Sequence, residues 1–218
     1  MRIKGAIFDM DGTLVDSLGF WKDIWAHFGE KYLGIPDYPG DPELTRVCRT
    51  TTVSGAARVL HDALGFGESA EALTEELTEF FAHLYRTEAK LKPGAMELLR
   101  ALADRGVKMC VASASNLKLV GISIERCGIG SFFPRVISCD EVGHGKDRPD
   151  VFLLARDRLG TPPDETWVFE DSAVALESAQ RAGFPTVGVF DVHTPDQARV
   201  AAASTVYLGE GKTFADLL

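Results

Sequence analysis

Two aspartates, Asp9 and Asp11, stand one residue apart in the stretch IFDMDGTLVDS (Ile7–Ser17), directly after a short apolar run. Three other places carry groups of matching chemistry: Ser113 at the end of VKMCVAS, Lys146 in CDEVGHGKDRPD, and the pair Glu170-Asp171 after WVF. Gathered in one crevice, these four carboxylates would repel one another without a counter-charge. Oxygen-rich sites of this kind suit Mg²⁺, which favours carboxylate, carbonyl and water ligands. The Lys146 ammonium offsets further charge and can pair with a substrate anion. A divalent cation, a lysine and a hydroxyl together are what a phosphoryl group requires.

Roles follow from residue type and place. An aspartate carboxylate can accept a phosphoryl group covalently, and Asp9, at the strand end, is the expected nucleophile. Asp11, where the chain turns at Gly12, is placed to protonate the leaving oxygen and then to take a proton from attacking water. Thr13 and Ser113 are expected as neutral donors to the transferring oxygens. Asp171, with Glu170 beside it, completes the expected metal site. Each piece alone has a plainer explanation. Asp-x-Asp-Gly closes many strands as a turn, Ser113–Asn116 can simply cap a helix, a lysine in a polar loop is usually solvated, and acids ahead of a helix complement its dipole. What unites them is position: each falls at the carboxyl end of a strand in one sheet, where open α/β sheets bind ligands.

The elements that must position these residues alternate along the chain. Ile3–Phe8 reads as a first strand. From Leu18 to Tyr32 the apolar residues fall at helical spacing, and Asp16 and Ser17 are candidate caps. GIPDYPGDPE (Gly34–Glu43) reads as a Pro/Gly-rich loop, followed by helices over Val53–Leu64 and Ser69–Lys90. From Pro93 onward, helix and strand alternate, with strands at Val107–Ala112, Arg135–Ser138, Trp167–Phe169, Thr186–Phe190 and Thr205–Leu208. Such alternation predicts an α/β fold with a parallel sheet flanked by helices. The expected division is an α/β core of residues 1–16 and 92–218 with a helical cap, 17–91, inserted after the first strand.

Composition narrows the class. The 218 residues carry a net charge of −9 and are 45% hydrophobic, which suits a globular protein with one good-sized core. An acidic chain with no Lys/Arg cluster argues against nucleic-acid and membrane partners. The four cysteines are widely spaced and form no CxxC, as expected of reduced thiols in the cytoplasm. No apolar run is long enough to span a membrane. The expected partner is a small-molecule phosphate ester, and nothing calls for more than a monomer.

At this point four motifs line up: DMDGTLVDS (Asp9–Ser17), VASAS (Val111–Ser115), GKDRPDVF (Gly145–Phe152) and FEDSAVALESAQRAG (Phe169–Gly183). In order and spacing the chain resembles the haloacid dehalogenase superfamily, in its helical-cap branch of β-phosphoglucomutase-like and phosphoglycolate phosphatase-like proteins. The resemblance implies a Rossmann-like parallel-sheet core, a mobile cap over the site, Mg²⁺ and an aspartyl-phosphate intermediate. It makes Asp9 the nucleophile and Asp11 the acid/base. It gives the metal to Asp9, the backbone carbonyl of Asp11, and Asp171, and the phosphoryl oxygens to Ser113, Ala114 and Lys146. Two positions depart from the usual pattern: Asp147 stands where a proline is common, and Ala175 near a frequent glycine.

Within the family, Asp11 favours phosphate over halide, because a departing halide needs no proton. Mutases of this branch carry a histidine about where Trp21 stands, and basic residues in a cap loop corresponding to Cys48–Ser54. Here Arg49 is the only cation in that loop. Hydrolysis is therefore the expected reaction, with a sugar-phosphate mutase as the alternative. A non-catalytic metal-binding regulatory module would be expected to lack Asp9 or Asp11. Trp21, Trp25 and Arg49 are the candidates for substrate contact from the cap, and Trp21 and Trp25 share a helix face that would equally serve packing.

Overall fold

The computed structural model describes residues 2–49 and 51–218; Met1 and Thr50, inside the expected core and cap segments respectively, lie outside the described residues. Its centre is a parallel sheet of strands β1 (Gly5–Phe8), β2 (Lys108–Ser113), β3 (Val136–Ser138), β4 (Thr166–Glu170), β5 (Thr186–Val189) and β6 (Val206–Leu208), in the order β3-β2-β1-β4-β5-β6. β1 is central and pairs with both β2 and β4, Ile7 lying level with Cys110 and Val168. The chain order reverses beside β1, which makes its carboxyl end the crevice where ligands of open sheets bind.

Both faces of the sheet are covered, as a parallel sheet requires. Alternate residues serve alternate faces: Ala6 and Phe8 join one apolar cluster and Ile7 the other, and Trp167 and Phe169 oppose Val168 in the same way. One face carries α5 (Ala95–Asp104) and α6 (Leu117–Cys127); the other carries α7 (Asp150–Leu159) and α8 (Ala173–Arg181), with α9 (Gln197–Ala202) near the β5–β6 edge.

Between β1 and β2 the chain forms α1 (Phe20–Leu33), α2 (Pro42–Cys48), α3 (Val53–Leu64) and α4 (Ala70–Thr87). Their buried apolar faces continue the cluster on the α5/α6 side of the sheet. Two connectors run side by side between this helical segment and the sheet. Asp16 N–H donates to Lys90 O and Lys92 N–H to Leu14 O, each at 2.9 Å, with Val15 bridging Leu91.

The sequence reading places most elements within a residue or two, and Val53–Leu64 and Leu117–Cys127 coincide with their expected bounds. Helix α2 differs, for Pro42 and Glu43 fall in the expected loop and no helix is expected before Val53. The start signal is nevertheless there: the Asp41 carboxylate accepts from Leu44 N–H at 2.8 Å, and Pro42 takes the first helical position. Seven residues are too few to display an apolar period.

Candidate active site

Asp9 leaves β1 directly, and its N–H still donates to Phe169 O at 2.9 Å, so the sheet fixes where its side chain emerges. The next residues fold into a tight loop in which the N–H groups of Leu14 and Val15 both donate to Met10 O. Gly12 has φ 78°, and a Cβ there would lie 2.9 Å from the Asp171 carboxyl carbon. Glycine is needed both for the left-handed backbone and for this close approach.

The loop ends bring the charged groups together. Lys146, between β3 and α7, is only 8% exposed. Its ammonium donates to Asp9 Oδ1 and, at 2.5 Å, to Glu170 Oε1. The second Glu170 oxygen accepts from Ser172 N–H at 3.0 Å, so Glu170 serves first as the counter-charge of Lys146. One carboxylate oxygen each from Asp9, Glu170 and Asp171 lies within 4.8 Å of the others. Asp171 is held from both sides, by the Thr13 hydroxyl at 3.3 Å and the Thr194 hydroxyl at 2.5 Å. The Asp11 carboxylate takes three hydroxyl donors instead: Ser17 at 2.6 Å and Tyr85 at 2.5 Å on Oδ1, and Ser115 at 2.8 Å on Oδ2.

Above these groups lies a cavity of about 830 Å³. Asp9, Asp11, Ser113, Ala114, Lys146, Glu170 and Asp171 line it from the sheet side, and Trp21, Arg49, Phe81 and Tyr85 from the helical segment. The expected site residues thus line one cavity, with two exceptions. Thr13 is fully buried and gives its hydroxyl to Asp171, so it stands behind the site and not among the donors facing the cavity. Trp25 lies away from the cavity; its indole donates to Thr45 Oγ1 at 2.7 Å and packs where a Cβ on Gly40 would clash at 2.3 Å. Trp21 does reach the cavity wall, its ring set edge-on to Phe81 at 5.6 Å. The Arg49 guanidinium donates to Leu18 O at 2.8 Å and His193 O at 2.5 Å, and its buried Nε has no partner among the described residues. Ser113 Oγ accepts from Ser115 N–H at 3.0 Å, which shapes the loop after β2.

Burial dominates the electrostatics. It pushes the Asp9 carboxyl well above the usual carboxylate range; the Lys146 ammonium pulls the other way, while Glu170, Asp171 and Asp11 add to the rise. Burial works against the charged Lys146 too, yet Asp9 and Glu170 outweigh it and hold the lysine firmly protonated. Asp171 is pushed up to about 7, by burial first and by Glu170 next. Four acids facing one ammonium leave the site short of positive charge, and its donors are all oxygen. The residues therefore fit a hard divalent cation such as Mg²⁺.

That fit has a measurable consequence. In the metal-free protein Asp171 binds a proton as pH falls through about 7, whereas the unfolded chain binds it only near 3.8. The folded state then holds the extra proton, so metal-free stability should rise as pH drops from about 8 to about 5. A cation competes with that proton, and stabilisation by Mg²⁺ should shrink across the same window. Melting curves with and without Mg²⁺ over this range check both slopes; a Mg²⁺ increment that grows towards acid pH would contradict the fit.

Sequence reasoning missed Tyr85, Ser115 and Thr194. Tyr85 sits on the apolar side of α4 and is indistinguishable in sequence from a core aromatic. Thr194 was within reach, because it lies in DVHT (Asp191–Thr194), just past the end of β5, where the strand-end rule also points.

A family model for haloacid dehalogenase-like hydrolases matches residues 3–183. The chain belongs to this family. The hydrolase is 25% identical over 197 residues to the phosphorylated carbohydrates phosphatase of Thermotoga maritima, covering 85% of this chain and 84% of that one. It is 28% identical over 194 residues to the fructose-1-phosphate phosphatase YqaB of Escherichia coli, covering 86% and 97%. Its fold superposes on Rhodobacter sphaeroides CbbY, solved in complex with phosphate, with a TM-score of 0.83 and 24% identity over 99% of this chain and 96% of that one. The expected enzyme class, a phosphoric monoester hydrolase, agrees with these relatives. Among the described residues no helix is long and apolar enough to cross a membrane.

Proposed function

We propose that this hydrolase is a Mg²⁺-dependent phosphatase that cleaves a small phosphorylated metabolite through a phosphoryl-Asp9 intermediate. The observation that carries the reading is the pairing of two aspartates with different company. Asp9 is ion-paired with Lys146 beside the acidic cluster, and Asp11 is held next to it by neutral hydroxyls.

In the first step an Asp9 carboxylate oxygen attacks phosphorus. The bond to the ester oxygen breaks, and that oxygen leaves with its electron pair and takes a proton from Asp11. In the second step water gives a proton to Asp11 and attacks phosphorus, and the Asp9 carboxylate departs with the electrons of its phosphoryl bond. Lys146 pulls Asp9 towards its ionised, nucleophilic form against the effect of burial, and it and Ser113 and Ala114 face the phosphoryl oxygens. Mg²⁺, when held by Asp9, Asp171 and the Asp11 carbonyl, supplies positive charge that offsets the carboxylates and draws electron density from the phosphoryl group. Thr13 and Thr194 keep Asp171 aimed.

Residues 17–91 act as a cap, with Val15–Ser17 and Lys90–Lys92 as the hinge, and Trp21 and Arg49 on the cap side select the leaving group. The substrate class we favour is phosphorylated carbohydrates or polyols, in line with the names of the relatives. The enzyme works as a cytoplasmic monomer on small molecules. Trp21 stands where a mutase of this branch has its histidine, and its ring is packed against Phe81, which weighs against the mutase alternative. The complete set of Asp9, Asp11, Ser113, Lys146 and Asp171 weighs against a regulatory module.

A screen of metabolite phosphates scored by kcat/KM tests the reading. Phosphate release should require Mg²⁺ and stop on chelation; no release above background from any ester, including an aryl phosphate, would contradict it. Asp11→Asn should lower kcat/KM for alkyl phosphates by about 10²-fold or more, and much less for aryl phosphates whose leaving oxygen needs no proton. Equal losses on both would remove Asp11 from the acid role.

A further inference from the structure

We propose that Tyr85 is a positioning residue for the reaction: its hydrogen bond to Asp11 ties the orientation of the acid/base carboxylate to the seating of α4 over the site. The inference rests on the acid/base role proposed for Asp11.

Tyr85 lies near the end of α4, 3% exposed. Its ring sits edge-on to Phe20 at 5.5 Å and stacked on Phe81 at 6.2 Å, so its place is set by the helical segment. A purely packing role at this position needs no hydroxyl, as Phe81 one turn earlier shows. A buried hydroxyl costs free energy unless it is paired, and this one reaches across to the sheet side and donates to Asp11 Oδ1 at 2.5 Å.

The donor count shows what the bond does. A carboxylate offers about four lone-pair sites, two on each oxygen. Ser17 and Tyr85 occupy both sites on Oδ1, and Ser115 one on Oδ2. Among the described residues the open site is therefore on Oδ2, and that oxygen is left to carry the proton to and from the reacting groups. Without Tyr85 a second site opens on Oδ1, and the carboxyl loses the distinction between its oxygens. Ser115 belongs to the sheet side and Ser17 to a connector, but Tyr85 belongs to α4. Tilting the helical segment about its paired connectors would break the Tyr85 bond first. The acid is then fully aligned only when the helical segment is seated.

Tyr85→Phe keeps the ring and removes the hydroxyl. We expect kcat/KM for alkyl phosphates to fall about tenfold to a hundredfold, part of what a general acid supplies, with aryl phosphates much less affected and the melting temperature close to wild type. Because kcat/KM reports the steps through ester cleavage, the bias isolates the leaving-group proton. Adding Tyr85→Phe to Asp11→Asn should cost nothing further, since both act through one carboxyl. Three results overturn the proposal while Asp11→Asn keeps its bias: no loss in Tyr85→Phe, an equal loss on both substrate types, or losses that multiply in the double variant. A missing bias in Asp11→Asn instead refutes the acid reading itself, and the proposal with it.

Discussion

Asp9→Asn should abolish turnover, by about 10⁴-fold or more, while leaving the fold intact. Removing a nucleophile forfeits the covalent route entirely, and losses of this order accompany removal of the attacking group in other hydrolases. The exchange is nearly isosteric, and Asp9 is buried at the end of the central strand, where no backbone change is needed. The amide oxygen can still accept from Lys146, so the bond that positions the residue survives without the charge. Burial already disfavours an ionised Asp9, so the variant should melt at or above the temperature of the metal-free wild type. Initial rates of phosphate release and a thermal melt check the two halves separately. An active variant would rule out Asp9 as the nucleophile, and an inactive but unfolded one would contradict the structural half.

Lys146→Met should be costly in both stability and rate. The lysine holds two buried carboxylates together, through Asp9 Oδ1 and Glu170 Oε1. Removing one partner of a buried ion pair costs about 3–5 kcal/mol, because the remaining charge is left uncompensated. Asp9 then has even more reason to take a proton, and a protonated Asp9 does not attack. With the lost stabilisation of the phosphoryl oxygens, kcat should fall about 10²–10³-fold or more. The sign of the pH dependence is fixed as well. Without the ammonium the buried Asp9 binds its proton still more tightly in the folded state than in the unfolded chain, so the stability deficit should narrow as the solution is made acidic. Chemical denaturation at two pH values measures the deficit and its slope. A stability equal to wild type would mean that the pair contributes no net stabilisation in the folded protein.

Much of this was legible in the sequence, for a physical reason. Strands buried on both faces read as short apolar runs, and the polar residues that end them stand out against that background: Asp9 after IF, Ser113 after CVA, and Glu170-Asp171 after WVF. The alternation of these runs with helices implies a parallel sheet, and a parallel sheet implies a common carboxyl edge. The same logic explains what stayed hidden. Thr13 shares its motif with both aspartates, yet only the turn at Gly12 shows that its hydroxyl points to Asp171. Trp21 and Trp25 lie one helical turn apart, and no periodicity separates the ring on the cavity wall from the one packed against Gly40. Tyr85 meets Asp11 across 74 residues of chain. Nothing local marks such a contact, because it arises from how the helical segment sits on the sheet.

The central claim is that the phosphoryl group passes through Asp9 before it reaches water. The stereochemical course at phosphorus tests it most directly, using an aryl phosphorothioate made chiral by sulfur and two oxygen isotopes, accepted by the wild-type enzyme and hydrolysed in water carrying the third isotope. Each in-line displacement inverts phosphorus, so two displacements by way of Asp9 predict net retention of configuration. Net inversion would mean that water attacks the ester directly, and would contradict the account.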